Sequence, residues 1–235
     1  MKAKPVKKLD PARPLGENAA RIIKVRLDEM RAFAPRALAG KTKAQHDMRI
    51  AAKRLRYVLE ATGFIFGRPA DTARRRARDL QDILGEIHDC DVMLPRARAH
   101  LERLQRDDAS AVRAKAGAAP DLDPRLATQA RHRTTYRGLD VLAVYLEARR
   151  DLLTDRFAAF WQRQEDTGTW NRLERTVDAY LYRAREARRT AKAAERAREQ
   201  AEAAERAARQ AEAQAERARL DRERATAQHA PHQRP

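Results

Sequence analysis

Glycine and proline are sparse in this chain, and their positions constrain its fold more than any other feature. The 235 residues include only 8 Gly and 10 Pro. This is too few for a turn-rich β-sandwich, a collagen or a dinucleotide-binding enzyme with a glycine loop. The residues that dominate instead are Ala, Arg, Leu and Glu, which are strong helix formers. The sequence therefore predicts an all-α protein.

Between residues 16 and 182, glycine and proline separate stretches that have the apolar periodicity of amphipathic helices. Pro95 suits a first helical position and predicts the start of a separate helix, and Gly138 separates two others. Helices of this length joined by short loops are typical of antiparallel bundles. The predicted helices cover residues 17–34, 42–66, 69–93, from 95 to a linker at 114–124, 124–137, 139–165, and from 169 into the tail.

Composition divides the chain into four segments. Residues 1–15 are predicted to be a disordered basic N-terminus, and residues 16–182 a folded helical domain. Residues 183–224 repeat Ala-Glu-Arg-Ala and predict a long Ala/Arg/Glu-rich helix, with Glu and Arg placed to pair four residues apart. The segment lacks the Leu or Ile spacing of a stable coiled coil, and a weak self-association or partner-binding arm is the alternative. Residues 225–235 are predicted to be disordered.

The net charge of +17 comes from 51 Lys and Arg against 34 Asp and Glu. Residues 1–182 hold 37 basic and 25 acidic residues, whereas residues 183–224 hold 13 and 9. Most of the excess therefore belongs to the part predicted to fold. A sequence pI near 10.8 indicates a polyanionic partner, which could be nucleic acid, an anionic membrane surface or polyphosphate.

The single cysteine, Cys90, excludes an internal disulfide framework and a multi-cysteine zinc module. The basic N-terminus is followed by no continuous apolar run, which argues against a secretory signal. No stretch reaches the ~18 apolar residues that a membrane span requires. We therefore expect a soluble, cytoplasmic protein that does not enter a membrane.

The strongest signal is the stretch KTKAQHDMRIAAKRLRYVLE at residues 41–60. At about 100° per residue, most of its apolar residues fall on one side. The opposite side carries a basic band formed by His46, Arg49, Lys53, Arg56 and Tyr57. Arg54 lies at the edge of this band. Only Glu60 enters this band, whereas a solvated face ordinarily mixes acids and bases. A multivalent anion would relieve the repulsion in this row, about 0.2–0.5 kcal/mol per pair; an idle basic surface is the alternative.

The next helix supports a ligand site more weakly. Its predicted buried stripe contains Leu80, Ile83, Leu84 and Ile87, and its far side carries Arg75, Arg78, Asp82 and Gly85. An ordinary solvated surface is the alternative for this mixed face. If the two helices pack antiparallel, their polar faces border one groove. Asp82 or Asp89 would then accept hydrogen bonds from a neighbouring Arg or His and hold its rotamer.

These residues resemble the CHAD family, the conserved histidine α-helical domain. The resemblance is carried by His46-x-x-Arg49-x-x-x-Lys53-Arg54-Leu55-Arg56-Tyr57, Leu80-Gln81-Asp82-x-Leu84-Gly85, Asp89-x-Asp91-Val92, Tyr145-Leu146, Arg149-Arg150 and the segment 157–161. It covers about residues 16–182. It implies helical bundles of the CHAD type, typically two four-helix halves related by pseudo-symmetry around a basic cavity. It also implies binding of inorganic polyphosphate and, in some members, association with polyphosphate granules. The ligand-facing positions would be His46, Arg49, Lys53, Arg54 and Arg56.

The sequence departs from the family pattern in two places. Family members often carry the His-x-x-Arg string in both halves, whereas only one clear copy occurs here. The nearest second candidate is degenerate and lies at residues 131–137, where His132, Arg133 and Arg137 would contact phosphate. Position 88 is His where Arg or Asn is expected. A one-sided site follows from these departures, and a homodimer would restore the second wall.

An enzymatic role has little support in the residues. Helical phosphorelay domains also expose one histidine, but the Arg and Lys row that follows His46 fits a phosphate cradle better. His88 and Asp91 would supply only two metal ligands. There is no nucleophile–base pair and no acidic metal cluster of the kind that polyphosphate hydrolysis requires. We therefore predict a noncatalytic protein with no cofactor and no metal.

Two hypotheses for function follow. The first is binding of inorganic polyphosphate, in the cytoplasm or on polyphosphate granules. The second is a basic protein that binds the phosphate backbone of nucleic acid nonspecifically, although aromatic residues are only 5% of the chain and offer few platforms for base stacking. The predicted polyphosphate-binding residues are His46, Arg49, Lys53, Arg54, Arg56, Tyr57, Arg75, Arg78, His132, Arg133 and Arg137.

Overall fold

A computed structural model describes residues 2–228, and side chains are described as far as Arg224. This part of the chain contains six α-helices and no strand, which confirms the all-α prediction. A single 3₁₀ turn at Gly63–Ile65 joins the second helix to the third. The helices are α1 (Leu15–Leu38), α2 (Thr42–Thr62), α3 (Arg68–Ala116), α4 (Pro124–Thr128), α5 (Arg133–Asp166) and α6 (Thr169–Gln228).

The chain divides into one compact unit that ends at Leu181 and a second unit that begins at Tyr182. The second unit consists of the remainder of α6, whose charged side chains pair along one helix. Arg206 lies 3.3 Å from Glu202, and Arg219 lies 3.0 Å from Glu223. These are the four-residue pairs that the composition of this segment predicts. Of the residues predicted to be disordered, 225–228 belong to α6 in the structure, whereas 229–235 lie outside the described residues.

The core of the first unit is formed mainly by the apolar faces of α1, α2 and α3. The predicted stripes are buried here, including Ile23, Leu27 and Met30 of α1 and Met48 and Leu55 of α2. Contacts between α1 and α2 run in opposite sequence directions, because Arg54 reaches Glu29 while Gln45 reaches the carbonyl of Ala37. The two helices are therefore antiparallel, as a three-residue connection requires.

The beginning of α6 also packs on α1. Trp170, Leu173 and Val177 are fully buried in the core. Outside the apolar contact, Arg31 donates to Glu174 at 2.9 Å and Lys24 donates to Asp178 at 2.7 Å. The order of these pairs shows that this part of α6 runs antiparallel to α1.

The structure corrects three predicted helix boundaries. The helix expected to begin at Pro95 does not exist, since α3 continues through Pro95 to Ala116. Likewise, α5 continues through Gly138, and α1 passes Pro35 to end at Leu38. Proline removes one hydrogen bond of a helix, and an interior glycine costs only about 1 kcal/mol relative to alanine. Packing of α3 against α5 on both sides of Pro95 outweighs this local cost.

Residues 2–228 do not show the two pseudo-symmetric halves that the family resemblance implies. The helices as far as Leu181 form a single compact unit, and the helices beyond residue 98 do not repeat α1 and α2. Instead, the C-terminal half of α3 pairs with the N-terminal half of α5 as a two-helix arm. The linker predicted at 114–124 lies at the end of this arm, where α3 ends at Ala116 and α4 begins at Pro124.

The arm is held by a polar cluster around the buried carboxylate of Asp108. The backbone N–H and the ring Nδ1 of His132 each lie 2.9 Å from its oxygens. The hydroxyl of Tyr136 donates to Asp108 and to the carbonyl of Leu104. The hydrogen bond from Tyr136 holds the pKa of the Asp108 carboxyl below its ordinary value. Burial, followed by the bond to Asp108, raises the pKa of Tyr136 to about 12.

The N-terminal segment, predicted to be disordered over residues 1–15, contacts α1 in the structure. The backbone N–H of Lys4 donates to Glu29, and the guanidinium of Arg26 donates to the carbonyl of Lys4. Asn18 bonds the backbone N–H and carbonyl of Asp10. These backbone contacts arise from polar side chains of α1, which the local composition of the segment does not reveal.

Asp108→Asn is expected to destabilise the protein at neutral pH and not at acid pH. The pKa of Asp108 is lowered by folding, so its stabilisation is complete above the ordinary pKa of about 3.9 and is lost as pH falls through the folded-state pKa. Thermal melts followed by circular dichroism from about pH 7 to about pH 2 measure this. The difference between wild type and variant should disappear at the acid end. Asp107→Asn, at the exposed neighbouring position, is the matched control, and a pH-independent difference would contradict the assignment.

Candidate functional site

The polar faces of α2 and α3 meet along one seam, as the sequence predicted for an antiparallel pair. Three contacts define it: the ring of His46 with that of His88, the guanidinium of Arg49 with Gly85, and Arg56 with Gln81. We call this surface the α2–α3 groove. It is formed by His46, Arg49, Lys53 and Arg56 of α2 and by Gln81, Gly85 and His88 of α3.

Arg49 lies against the backbone of α3 at Gly85. A Cβ atom at position 85 would be 3.4 Å from Nε of Arg49 and 3.9 Å from its Nη2. Glycine therefore leaves room for the flat guanidinium at this point of the helix. The Nε atom is buried and has no hydrogen-bond partner. Packing, rather than a hydrogen bond from Nε, holds this cation in place.

His46 packs against His88 one helical turn further along the groove. Their ring centroids are 4.9 Å apart with the planes tilted by 48°. The Nδ1 atom of His46 is buried and has no hydrogen-bond partner. His88, which departs from the residue expected at this position, thus supplies the surface on which His46 rests.

The other end of the groove is organised around Arg56. Its Nε donates to the side-chain oxygen of Gln81 at 3.1 Å, and its Nη1 donates to Glu60 at 2.8 Å. The guanidinium carbon lies 4.6 Å from the ring centre of Tyr57, and Nζ of Lys53 lies 5.6 Å from the same centre. Cations at these distances are attracted by the aromatic face. Tyr57 therefore supports two cations of the row.

Arg54 does not face the groove, although the resemblance places it among the ligand-facing residues. Its guanidinium turns to α1 and donates to Glu29 at 3.1 Å. Glu29 is only 1% exposed and also accepts from Arg26 at 2.6 Å and from the backbone N–H of Lys4. A buried carboxylate requires such partners. Arg54 thus belongs to the interface between α1 and α2.

Arg75 and Arg78 lie on the exposed first part of α3, and both have carboxylate neighbours. Arg75 is 2.9 Å from Asp71, and Arg78 is 3.8 Å from Asp82. A hydrogen bond from Arg74 holds the pKa of the Asp71 carboxyl below its ordinary value, and the charge of Arg75 adds to this effect. Arg78 is one turn from Gln81, so this surface continues the groove with partly neutralised charge.

The structure does not bring His132, Arg133 and Arg137 to the groove. His132 bonds Asp108, which lies 23 residues beyond Gly85 in the same helix and hence about 35 Å along α3. Arg133 donates to the carbonyl of Thr128, and Arg137 is exposed on the arm. The degenerate second string therefore contributes no second wall within this chain. Its histidine stabilises the arm instead.

Gln81 is the residue that the sequence predictions missed. Asp82 or Asp89 was expected to fix a basic side chain of α2, but Asp82 neighbours Arg78 of its own helix and Gln81 accepts from Arg56 instead. The signal was available, because positions 78, 81, 85 and 88 have the three- and four-residue spacing of one helical face. Amide oxygens accept hydrogen bonds from guanidinium groups without adding a negative charge.

Two arginines of α5 form ion pairs that hold α5 against α3. Arg150 lies 2.6 Å from Asp91 and also reaches Gln45 of α2. Arg149 lies 2.6 Å from Glu86. Both guanidinium groups are paired with carboxylates, so their charge is largely compensated. They position α3 rather than extend the cationic row.

The cations that the sequence predicted for the site on α2 and α3 differ in whether a carboxylate lies close to them. Arg54, Arg56, Arg75 and Arg78 each have a carboxylate within 4.0 Å. Among the described residues, neither Arg49 nor Lys53 has one. These two cations lie one turn apart on α2 beside His46. The arrangement offers an ordered positive row to an anion with several charges.

Two further searches of the described residues bear on other classes of function. No group of three or more His, Cys, Asp or Glu side chains in residues 2–228 is arranged to hold a metal ion. Nor does any described helix combine the length and apolar character of a membrane span.

Comparison with known proteins gives one match. Residues 2–98 match the family model of the CHAD domain. No curated protein and no solved structure is significantly similar to the chain. The matched range contains α1, α2 and the part of α3 that forms the groove, and it ends at residue 98, near the start of the arm.

Arg54→Met is expected to destabilise the protein, whereas Arg49→Met is expected to leave its stability almost unchanged. Replacing Arg54 leaves the buried Glu29 with one fewer partner and should cost about 1–3 kcal/mol of unfolding free energy. Replacing Arg49 removes no ion pair and should change that free energy by no more than about 0.5 kcal/mol. Urea denaturation of the two variants measures both values. Equal losses would contradict the distinction between a structural and an uncompensated arginine.

Proposed function

We propose that the α2–α3 groove binds inorganic polyphosphate without catalysing its turnover, since residues 2–98 match the model of the CHAD domain. The proposal rests on one observation above all. Arg49 and Lys53 are ordered by their surroundings but have no carboxylate partner among the described residues. The family link to polyphosphate supports the same ligand.

Uncompensated cations raise the free energy of the unbound protein slightly. Like charges one turn apart repel by about 0.2–0.5 kcal/mol per pair. Phosphate oxygens between Arg49 and Lys53 would replace that repulsion with attraction. Arg offers parallel donors to phosphate, and Lys offers a compact charge. Because both side chains are already positioned, less conformational entropy is lost on binding.

The shape of the row favours a chain of phosphates over a single phosphate ion. From Arg49 to Arg56 the row extends seven residues, or about 10 Å along the axis of α2. The surface with Arg78 and Arg75 continues it along α3. A linear polyanion would contact these positions in succession, whereas one phosphate reaches only two of them. Binding through many charges releases counterions and weakens steeply with salt.

The groove also supports a role in binding rather than in reaction. Its polar residues are cations, two imidazoles in mutual contact and the amide of Gln81. No carboxylate in the described part of the chain is hydrogen-bonded to either imidazole, so no general base is oriented by an acid there. We propose accordingly that the protein is a noncatalytic cytoplasmic binder that associates with polyphosphate granules.

A nonspecific nucleic-acid binder is the competing proposal, favoured by the net charge of +17. Tyr57 is the aromatic residue in the basic row, and the guanidinium of Arg56 already lies on its ring. Bases would therefore have to displace a cation in order to stack there. Nucleic acid would be held through its phosphates alone.

Competition between the two polyanions tests the choice. Fluorescently labelled duplex DNA is bound to the protein and then displaced with long-chain polyphosphate, at matched phosphate concentration and fixed salt. We expect displacement at least about ten-fold more effective than by unlabelled DNA, since the groove suits a slender chain without bases. Equal competition per phosphate would contradict specific binding of polyphosphate and would support the nucleic-acid proposal.

The double variant Arg49→Glu, Lys53→Glu tests the groove itself. Loss of two phosphate contacts, each worth about 1.5 kcal/mol or more, should weaken polyphosphate binding at least about 100-fold. Isothermal titration calorimetry with polyphosphate of defined length measures the affinity. Circular dichroism should show unchanged helix content, because neither side chain has an ion pair to lose.

Arg131→Glu, Arg133→Glu is the matched control, since it makes the same change of net charge on the arm. Its affinity should fall by less than about five-fold, through the general field of the protein alone. Similar losses in both double variants would contradict a localised groove. An unchanged affinity in the Arg49 and Lys53 variant would reject the groove as the site.

A further inference from the structure

The outer face of α5 carries apolar side chains that no other helix of the first unit, as far as Leu181, covers. Val141, Val144, Tyr145 and Leu152 each expose more than half of their surface. Their spacing of three, four and seven residues places them, with Ala148, on one side of the helix. The opposite side holds the buried Leu146, Leu153 and Phe157 that face the core. We call the exposed set the α5 outer face.

These residues have no evident role within a single copy. Valine is a weaker helix former than alanine or leucine because its branched side chain loses rotamers against the preceding turn. Two valines at exposed positions therefore weaken α5 slightly and bury little in return. The arm that carries them is only two helices wide, and its buried apolar residues are few, notably Ala97, Leu104 and Leu146. A two-helix arm gains stability when a second pair of helices covers it.

Three exposed charged residues border the apolar patch on one flank, with opposite signs at its two ends. They are Arg137 at the N-terminal end and Asp151 and Asp155 at the C-terminal end, where Arg156 lies on the other flank. Arg137 lies four residues before Val141, and Asp151 and Asp155 lie seven and eleven residues after Val144. These intervals are the same helical spacings that relate the apolar residues. All three side chains are exposed, and none has an ion pair among the described residues.

This pattern matches the face to a second copy of itself in one orientation. When two copies pack antiparallel, Arg137 of each lies opposite Asp151 or Asp155 of the other, and the apolar residues between them meet. The midpoint between Arg137 and Asp155 is position 146, close to the centre of the range 141–152 that the apolar residues occupy. In a parallel arrangement, like charges would meet at both ends. A self-complementary patch of this kind is what a two-fold symmetric dimer requires.

We propose that this protein forms an antiparallel homodimer through the α5 outer face, which converts the two-helix arms into a four-helix bundle. The surface from Arg137 to Asp155 is about 27 Å long. The net charge of each copy opposes association over long range, so the dimer should tighten as salt screens that repulsion. Polyphosphate binding at the α2–α3 groove is a separate property and does not depend on this interface.

Sedimentation velocity of the full chain, from about 1 to about 200 μM, tests the proposal. Wild type should shift from monomer to dimer within this range, as expected for a small interface between exposed helices. Val141→Glu, Val144→Glu should weaken dimerisation at least about ten-fold. Phe64→Glu is the matched control, because Phe64 is an exposed apolar residue on the 3₁₀ turn and outside the proposed interface. It should dimerise like wild type.

A charge exchange tests the antiparallel orientation independently of the apolar contacts. Arg137→Asp alone should weaken dimerisation, and the triple variant Arg137→Asp, Asp151→Arg, Asp155→Arg should restore it. Circular dichroism verifies that each variant keeps its helix content. A wild type that stays monomeric, an unaffected valine variant, or an equal loss in Phe64→Glu would each overturn the proposed interface. Failure of the triple variant to recover would overturn the antiparallel pairing.

Discussion

The close antiparallel packing of α2 against α3 is the contact on which the candidate site depends. Both helices bury alanines completely, including Ala51 and Ala52 of α2 and Ala77 of α3, and small buried side chains favour close packing of helices. Burial of this small apolar face fixes the rotation of α2 about its axis, and the basic row then lies along the seam. Gly85 completes the arrangement by leaving room for the guanidinium of Arg49 on the surface of α3.

The same chain uses arginine in two physically different ways. Arg54 and Arg150 form ion pairs with buried or half-buried carboxylates of neighbouring helices, and their charges stabilise the packing of those helices. Arg49 is held by packing against Gly85 and has no carboxylate partner among the described residues. The two roles follow from the neighbours, since guanidinium groups satisfied by Asp or Glu gain little from an additional anion. A high count of basic residues therefore overstates how much positive charge is available for a ligand.

Much of the fold could be predicted because it depends on periodicity, which is a local property. The buried residues of α2 and α3, such as Met48, Leu55 and Leu84, follow directly from the helical repeat. The predictions that helices break at Pro95 and Gly138 were wrong because they also considered only local properties. Proline and glycine carry local costs of a few kcal/mol at most, and the packing of α3 on α5 exceeds them. The second string at residues 131–137 resembles the first in composition, yet its His132 is engaged by Asp108 of the arm.

The sequence by itself determined that the chain is helical, that α2 has one apolar and one basic side, and that His46, Arg49 and Lys53 share the basic side. Only the tertiary structure decided which of the cations remain uncompensated. Arg49 and Arg54 are five residues apart on one helix, but Glu29 lies 25 residues before Arg54 and Gly85 lies 36 residues after Arg49. Partners so distant along the chain leave no local pattern, since they are chosen when helices pack. The packing of the helices therefore determines that, within the basic row of α2, Arg49 and Lys53 are the cations with no carboxylate partner among the described residues.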